Sequence, residues 1–355
     1  MNQARVDQIA SAVLYEGYIL YPYRPSVKNR QRWTFGGLVP RAYSEANSQS
    51  DSWAMRTECL VIGGNDTKIS VSVRFLQLVA RLIGKYAAPQ NEWPADGSIP
   101  CPIVECLQAG DEVYYTWQEA VEQMVDLGES KLEALAEVPD RRDFVIESQR
   151  DRQPLNDAAG LFVGSLVRER RRIAGAIELS AREVSAGVFR VTVKIENQTH
   201  VDDGSSASRD EALMHGLVST HSILSTRDGE FVSMIDPPEE HRALAAACTN
   251  VGCWPVLVGD EGDKDTILSA PIILYDYPQI APESPGELFD GTEIDEILTL
   301  RIMTLTDDEK AAMAAIDERA RAVLARTESL GKEQLLGLHG TFRGLQPALG
   351  DRDHE

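Results

Sequence analysis

Cysteine is scarce in this chain. Five cysteines in 355 residues, an odd number, argue against a disulfide framework and fit reduced thiols in a cytoplasm. Bases are scarce relative to acids: 35 Lys and Arg against 56 Asp and Glu leave a net charge of -21. Nucleic acid is therefore not an expected partner, because binding to its backbone needs a broad cationic surface that releases counterions. Long apolar runs are missing too. The most apolar neighbourhood, Ile69 to Ile83, is cut by Arg74 and Arg81, short of the roughly 20 uncharged residues of a membrane helix, so no membrane insertion is expected. The opening MNQARVDQIASAVLYEGY has no apolar signal-peptide core, so the expected location is cytoplasmic. Missing as well are a G-x-S-x-G elbow, an H-E-x-x-H pair, a Walker loop, a G-x-G-x-x-G loop and any C-x-x-C. No catalytic residue and no cofactor are expected on these grounds, and an enzyme is not the favoured class.

What is present is a chain with 43% hydrophobic residues, enough to fill real cores. The run TECLVIGGNDTKISVSVRFLQLVARL reads as a β-hairpin turning at Gly63-Gly64-Asn65-Asp66. In its second arm Ile69, Val71, Val73 and Phe75 alternate with polar residues, which gives one buried and one wet face. In DEVYYTWQEAVEQMVDLGESKLEALAEVP, Trp117, Ala120, Val121 and Met124 recur at helical spacing, as do Leu132, Leu135 and Val138 after Gly128, so mixed strand and helix is expected there. Asp140 to Asp157 is polar and reads as a loop or a domain boundary. From about Gly160 the texture is β. AIELSAREVSAGVFRVTVKIENQT alternates like a half-buried antiparallel strand, Arg227-Asp228-Gly229 marks a turn, and CWPVLVGDEGDKDTILSAPIIL adds further short strands. Thr306 with Glu309 forms a capping box ahead of a stripe through Met313, Ile316, Ala320, Val323 and Leu324. The fold class expected is α+β: a mixed N-terminal domain over 1–150, an antiparallel β-sandwich-like domain over 160–287, and a C-terminal helical segment over 288–355.

One stretch runs against the acidic composition. Between Tyr15 and Tyr43 stand five bases, one acid and seven of the chain's 23 aromatics. The bases Arg24, Lys28, Arg30, Arg32 and Arg41 form the candidate site for a protein partner or an anion, because arginines fork onto carboxylate and aromatics supply rigid contact area. The competing reading is internal, with the stems packed on aromatic faces while their charges neutralise acids elsewhere. Tyr18, Tyr21 and Trp33 are candidates for the core. Pro22, Pro25, Pro40 and Gly36-Gly37 point to short extended pieces joined by turns rather than a long helix.

Two C-x4-C pairs, Cys101 with Cys106 and Cys248 with Cys253, are spaced more loosely than most structural zinc knuckles. Buried free thiols are the favoured reading. Cys248 and Cys253 with His215 and His221 remain the weak candidates for a metal site. The two histidines are six apart, which on one continuous strand would place them on one face.

The blocks YEGYILYPYRPSVKNRQRWTFGG, TECLVIGG, VRFLQL, VTVKIENQT, GEFVSMIDPP and YDYPQIAPESPGELFDGTEIDEILTLRIMTLTDDEK, spread from Tyr15 to Lys310, resemble a bacterial family encoded beside nickel–iron hydrogenase structural and maturation genes. That resemblance implies a hydrogenase-associated accessory protein whose partner is a hydrogenase subunit or a maturation factor, and it carries over no functional residue. The chain is not itself a hydrogenase subunit, since the large subunit needs two C-x-x-C motifs. The alternatives are an enzyme or small-ligand binder holding an anion on the Arg24–Arg41 region, and a metal carrier.

Overall fold

Ala54 to Gln90 form one strand of 37 residues, several times the usual strand length, in which buried and wet residues alternate strictly from Thr67 to Phe75. The computed structural model describes residues 3–19, 36–47, 51–93, 102–201, 208–279, 302–315 and 318–329. Along the chain these form α1 (Gln3–Ile19), α2 (Arg41–Ala46), β1 (Ala54–Gln90), β2 (Ile103–Val104), β3 (Cys106–Ala109), β4 (Glu112–Tyr115), β5 (Trp117–Lys131), α3 (Leu132–Glu137), β6 (Asp140–Ile146), β7 (Gln149–Asn156), β8 (Phe162–Arg170), β9 (Ile173–Ser185) and β10 (Val188–Asn197). There follow α4 (Arg209–Leu213), β11 (Val218–Phe231), α5 (Arg242–Ala246), β12 (Trp254–Leu257), β13 (Thr266–Ala270), α6 (Asp307–Ala314) and α7 (Glu318–Ser329).

β1 is the spine of an 11-stranded sheet. Val61 and Ile62 pair with β10 on one side and with β11 on the other. Further along, β5 takes over the β10 side from Lys68 to Arg81, and β8 takes over the β11 side from Val79 onward. β9 and β6 extend the sheet beyond β10, while β13 and β12 extend it beyond β11. Every one of these pairings is antiparallel. The sheet curls: Phe144 on β6 meets Phe75 on β1 at 5.9 Å between ring centroids, although β10 and β9 lie between those strands in sheet order. The curl encloses the main core, made by the odd-numbered residues Ile69, Val71, Val73 and Phe75 of β1 with residues of β9, β10 and β11. Leu132 and Leu135 of α3 pack into the same core.

Several sequence expectations need correction. The Gly63–Asp66 cluster does not reverse the chain, because β1 runs antiparallel to β11 both before and after it. Gly63 faces Gly229 and Lys68 faces Arg227, so residues 64–67 bulge out opposite the single Asp228. Thr67 Oγ1 closes the bulge, accepting from Gly64 N at 3.0 Å and donating to Asp228 O at 2.7 Å. A side chain at Gly63 would collide with it, since a Cβ there would lie 2.3 Å from that oxygen. Arg227-Asp228-Gly229 is the other half of this bulge rather than a turn, with Asp228 at φ 61°. The turn-forming residues are thus spent on bending a long strand, which is what bulges do.

The helical spacing at Trp117–Met124 is also overridden: these residues are in β5, paired with β1, and Met124 is 66% exposed. Asp140 to Asp157 holds two strands, β6 and β7, each of which, among the described residues, lies at a margin of the sheet and is paired on one side only, which accounts for their polarity. Strands from both sides of residues 150–160 share the one sheet, and the described residues are mainly antiparallel β with a smaller helical part. Tyr15 to Ile19 belong to α1 rather than to an extended piece. The side chains of Tyr18, Tyr21 and Trp33 lie outside the described residues.

Other expectations match. The alternating stretch AIELSAREVSAGVFRVTVKIENQT is antiparallel strand as expected, though it divides into two paired strands, β9 and β10, whose register shifts between Val188 and Phe189. Thr306 accepts from Glu309 N at 3.3 Å, and Glu309 Oε2 accepts from Thr306 N at 2.8 Å, completing the capping box of α6 inside the C-terminal helical segment. No helix among the described residues is long and apolar enough to cross a membrane.

Candidate functional sites

The even-numbered residues of β1 point away from the main core. Past Arg74, Leu76 and Leu78 are covered by α1, α2 and α4 through Leu14, Tyr43 and Leu213. α1 itself docks through Val6, Ile9, Ala10 and Val13 onto Ile223, Val256 and Leu268. Between this cover and the bulge, Lys68, Ser70, Ser72 and Arg74 stay open and form the floor of a cleft of about 820 Å³. β11 extends the floor, β5 forms one bank, and Asp7 of α1 overlooks it.

The cleft's charges are arranged in pairs by strand register. Arg74 sits diagonally from Glu122, and Nη2 reaches Oε2 at 3.2 Å while also donating to Ser11 Oγ at 3.2 Å. Lys68 and Arg227 stand directly opposite each other on β1 and β11, an arrangement that repels. Glu129 of β5 relieves it: one carboxylate oxygen lies 3.3 Å from Lys68 Nζ and the other 2.8 Å from Arg227 Nη2. Opposite Arg74 is His221, fully buried. Its Nδ1 lies 3.1 Å from Ser219 O, so that nitrogen carries the proton, and Nε2 finds no hydrogen-bond partner among the described residues. Burial pushes the imidazole down to about 4 from 6.5; the Ser219 carbonyl opposes the shift and the Arg74 charge adds to it.

Two sheet margins bear on recognition. β5 pairs with β1 along one edge and, among the described residues, with no strand along the other. At the opposite margin, β12 is only four residues long. The chain leaving β13 turns back along it, where Leu257 N donates to Asp276 Oδ1 at 2.8 Å and Tyr277 N to Leu257 O at 2.7 Å. Leu274 is buried in that return segment, while Ile273 and Tyr275 are 74% and 82% exposed, and Trp254 on β12 is 44% exposed.

Of the sequence-predicted partner or anion residues, Arg24, Lys28, Arg30 and Arg32 lie outside the described residues. Arg41 opens α2 with its side chain exposed; Nε holds Glu45 at 2.7 Å and the guanidinium lies 4.5 Å from the Trp53 ring centroid. Both interpretations of the patch are visible in this one residue, an exposed charge packed on an aromatic face.

The metal candidates do not converge. Cys253 is buried against Thr57 Oγ1 at 3.2 Å and Arg56 O at 3.1 Å, and burial pushes its thiol up. Burial likewise raises the Cys248 thiol, opposed by the Arg190 charge. His215 Nδ1 lies 3.2 Å from Arg172 O, in the chain before β11, so it and His221 do not share a strand face. Among the described residues no three His, Cys, Asp or Glu side chains gather as a metal site. Beside Cys248 the segment is pinned by Glu58, whose buried carboxylate pairs with Arg56 and accepts from Thr249 N at 2.6 Å. Cys101 lies outside the described residues, and Cys106 is exposed.

The cleft residues Lys68, Arg74, Glu122, Glu129 and Arg227 were not singled out by sequence. The alternation Lys68–Phe75 showed a wet face, but only the pairing of β5 and β11 with it brings the charges together. The described residues define an antiparallel β-sheet protein with helices at its periphery. No protein-family model, curated protein or solved structure matches the chain.

Proposed function

We propose that this chain is a non-catalytic accessory protein that binds a protein partner, and that the partner is a hydrogenase subunit or a maturation factor. The observation that carries the binding role is the exposed group Trp254, Ile273 and Tyr275 along the β12 margin. Large aromatic and aliphatic side chains held on a hydrogen-bonded scaffold are the residues that dominate protein interfaces, and their exposure on a soluble surface calls for a function. The hydrogenase setting rests on the resemblance of the blocks between Tyr15 and Lys310. The alternative of a small anion held on the Arg24–Arg41 region is less favoured, because Arg41, the base of that region among the described residues, already holds Glu45. The test is affinity purification of the full chain from its native host, with mass spectrometry of partners and metal analysis of the same sample. Co-purification of a hydrogenase subunit or maturation factor in near-stoichiometric amount is expected; a metal-loaded protein with no such partner would overturn the proposal.

A further inference from the structure

Among the described residues β5 pairs with one strand, β1, and it lies apart from the β12 margin. Trp117 to Val125 face β1 in unbroken register from Arg81 to Val73. The register slips only at the bulge beyond, where Gly128 has φ 78° and donates to Asp126 Oδ1 at 2.7 Å. The bulge spoils that end of the edge as a template, which leaves Glu119 to Val125 as regular strand that pairs with no second strand among the described residues. On the cleft face this stretch carries Glu122, 43% exposed in its side chain, then Met124, with Asp126 following at the bulge.

We propose that β5 takes an extended basic segment of a protein partner as an added strand. Cross-strand neighbours on one face sit about 5 Å apart, so the complementary segment carries Lys or Arg opposite Glu122, an apolar residue opposite Met124, and Lys or Arg opposite Asp126. Its pattern is basic-x-apolar-x-basic. Backbone hydrogen bonds supply affinity and the alternate side chains supply selectivity. Glu122 keeps a free share of its carboxylate for this, since Arg74 reaches only one oxygen, at 3.2 Å. A second copy of this chain is the wrong occupant: Glu119, Glu122, Asp126 and Glu129 of one β5 would face the same four acids of the other, on chains of net charge -21. The same charges oppose self-templating along this edge.

The test uses the full chain and two nine-residue peptides, one whose same-face residues run lysine, valine, lysine in the basic-x-apolar-x-basic pattern and one with glutamate in place of each lysine, read by amide hydrogen exchange. The lysine peptide is expected to slow exchange at least tenfold within 119–125, and the glutamate peptide to leave it unchanged. The double variant Glu122→Lys, Asp126→Lys should reverse the preference. Binding of the lysine peptide without protection of 119–125, equal protection by both peptides, or protection of β5 by self-association in the absence of peptide would each overturn the proposal. The two wild-type peptide arms stand even if the variant does not fold. None of these readouts involves Trp254, Ile273 or Tyr275, so the outcome is separate from that of the proposed hydrogenase partnership.

Discussion

Strand β1 carries two different chemistries on its two faces between residues 68 and 75. Its odd-numbered side chains, Ile69, Val71, Val73 and Phe75, are sealed in the curl of the sheet, and its even-numbered ones, Lys68, Ser70, Ser72 and Arg74, line an open cleft where charge is balanced across strands. Both faces obey the same period of two. The odd face holds the fold together through area removed from water, whereas the even face contributes little to stability and is available for recognition. His221 lies where these regimes meet: it shares the cleft face with Arg74 yet is fully buried.

The contrast can be broken by substitution, and the largest effect belongs on the dry face. Phe75→Ala removes a fully buried ring that also contacts Phe144 and should cost about 3–5 kcal/mol in urea unfolding. Next comes acid. His221 has its folded value near 4 and an ordinary value of 6.5, so the unfolded chain binds the proton first as pH falls. The stabilisation is therefore complete above about pH 6.5 and is lost between about 6.5 and 4, a change of about 3 kcal/mol by linkage. Unfolding free energy measured across that window should show the slope, and His221→Gln should remove its share of it. The smallest stability effect belongs to Lys68→Ala. Lys68 and Glu129 are both partly exposed, so the loss should be about 0–1 kcal/mol and shrink further in high salt. A cost as large as that of Phe75→Ala would erase the distinction between the faces.

The period of β1 was legible because Ile69, Val71, Val73 and Phe75 alternate strictly with polar residues, and burial on one face leaves no other register. The capping box at Thr306 and Glu309 was legible because its partners are three residues apart. What failed depended on distant pairing. Gly63-Gly64-Asn65-Asp66 has the composition of a hairpin turn, and only the partner β11 decides that it is a bulge. Trp117, Ala120, Val121 and Met124 have helical spacing, yet pairing with β1 outweighs that local pattern. Asp140 to Asp157 is polar because β6 and β7 are marginal strands, which composition alone does not distinguish from a loop. α1 was legible in the three- and four-residue spacing of Val6, Ile9, Ala10 and Val13 and was missed beside the proline-rich stretch that follows it. The cleft's ion pairs were hidden for the same reason as the bulge, since Glu129 meets Lys68 and Arg227 only through strands 61 and 98 positions away in sequence.

The two margins of the sheet differ as sharply as the two faces of β1. β12 is short, carries Pro255 and is flanked by a returning segment, with aromatic and aliphatic side chains left outside; β5 is long, acidic and open. Recognition of a hydrogenase subunit or maturation factor is ascribed to the first. The most direct measurement is parallel affinity purification of the wild-type chain and a Tyr275→Ala, Ile273→Ala double variant, with thermal melts of both. Both side chains are largely exposed, so the melts should coincide within a few degrees while the captured hydrogenase subunit or maturation factor falls at least tenfold in the variant. Equal capture by the two proteins at equal melting temperature would contradict the account.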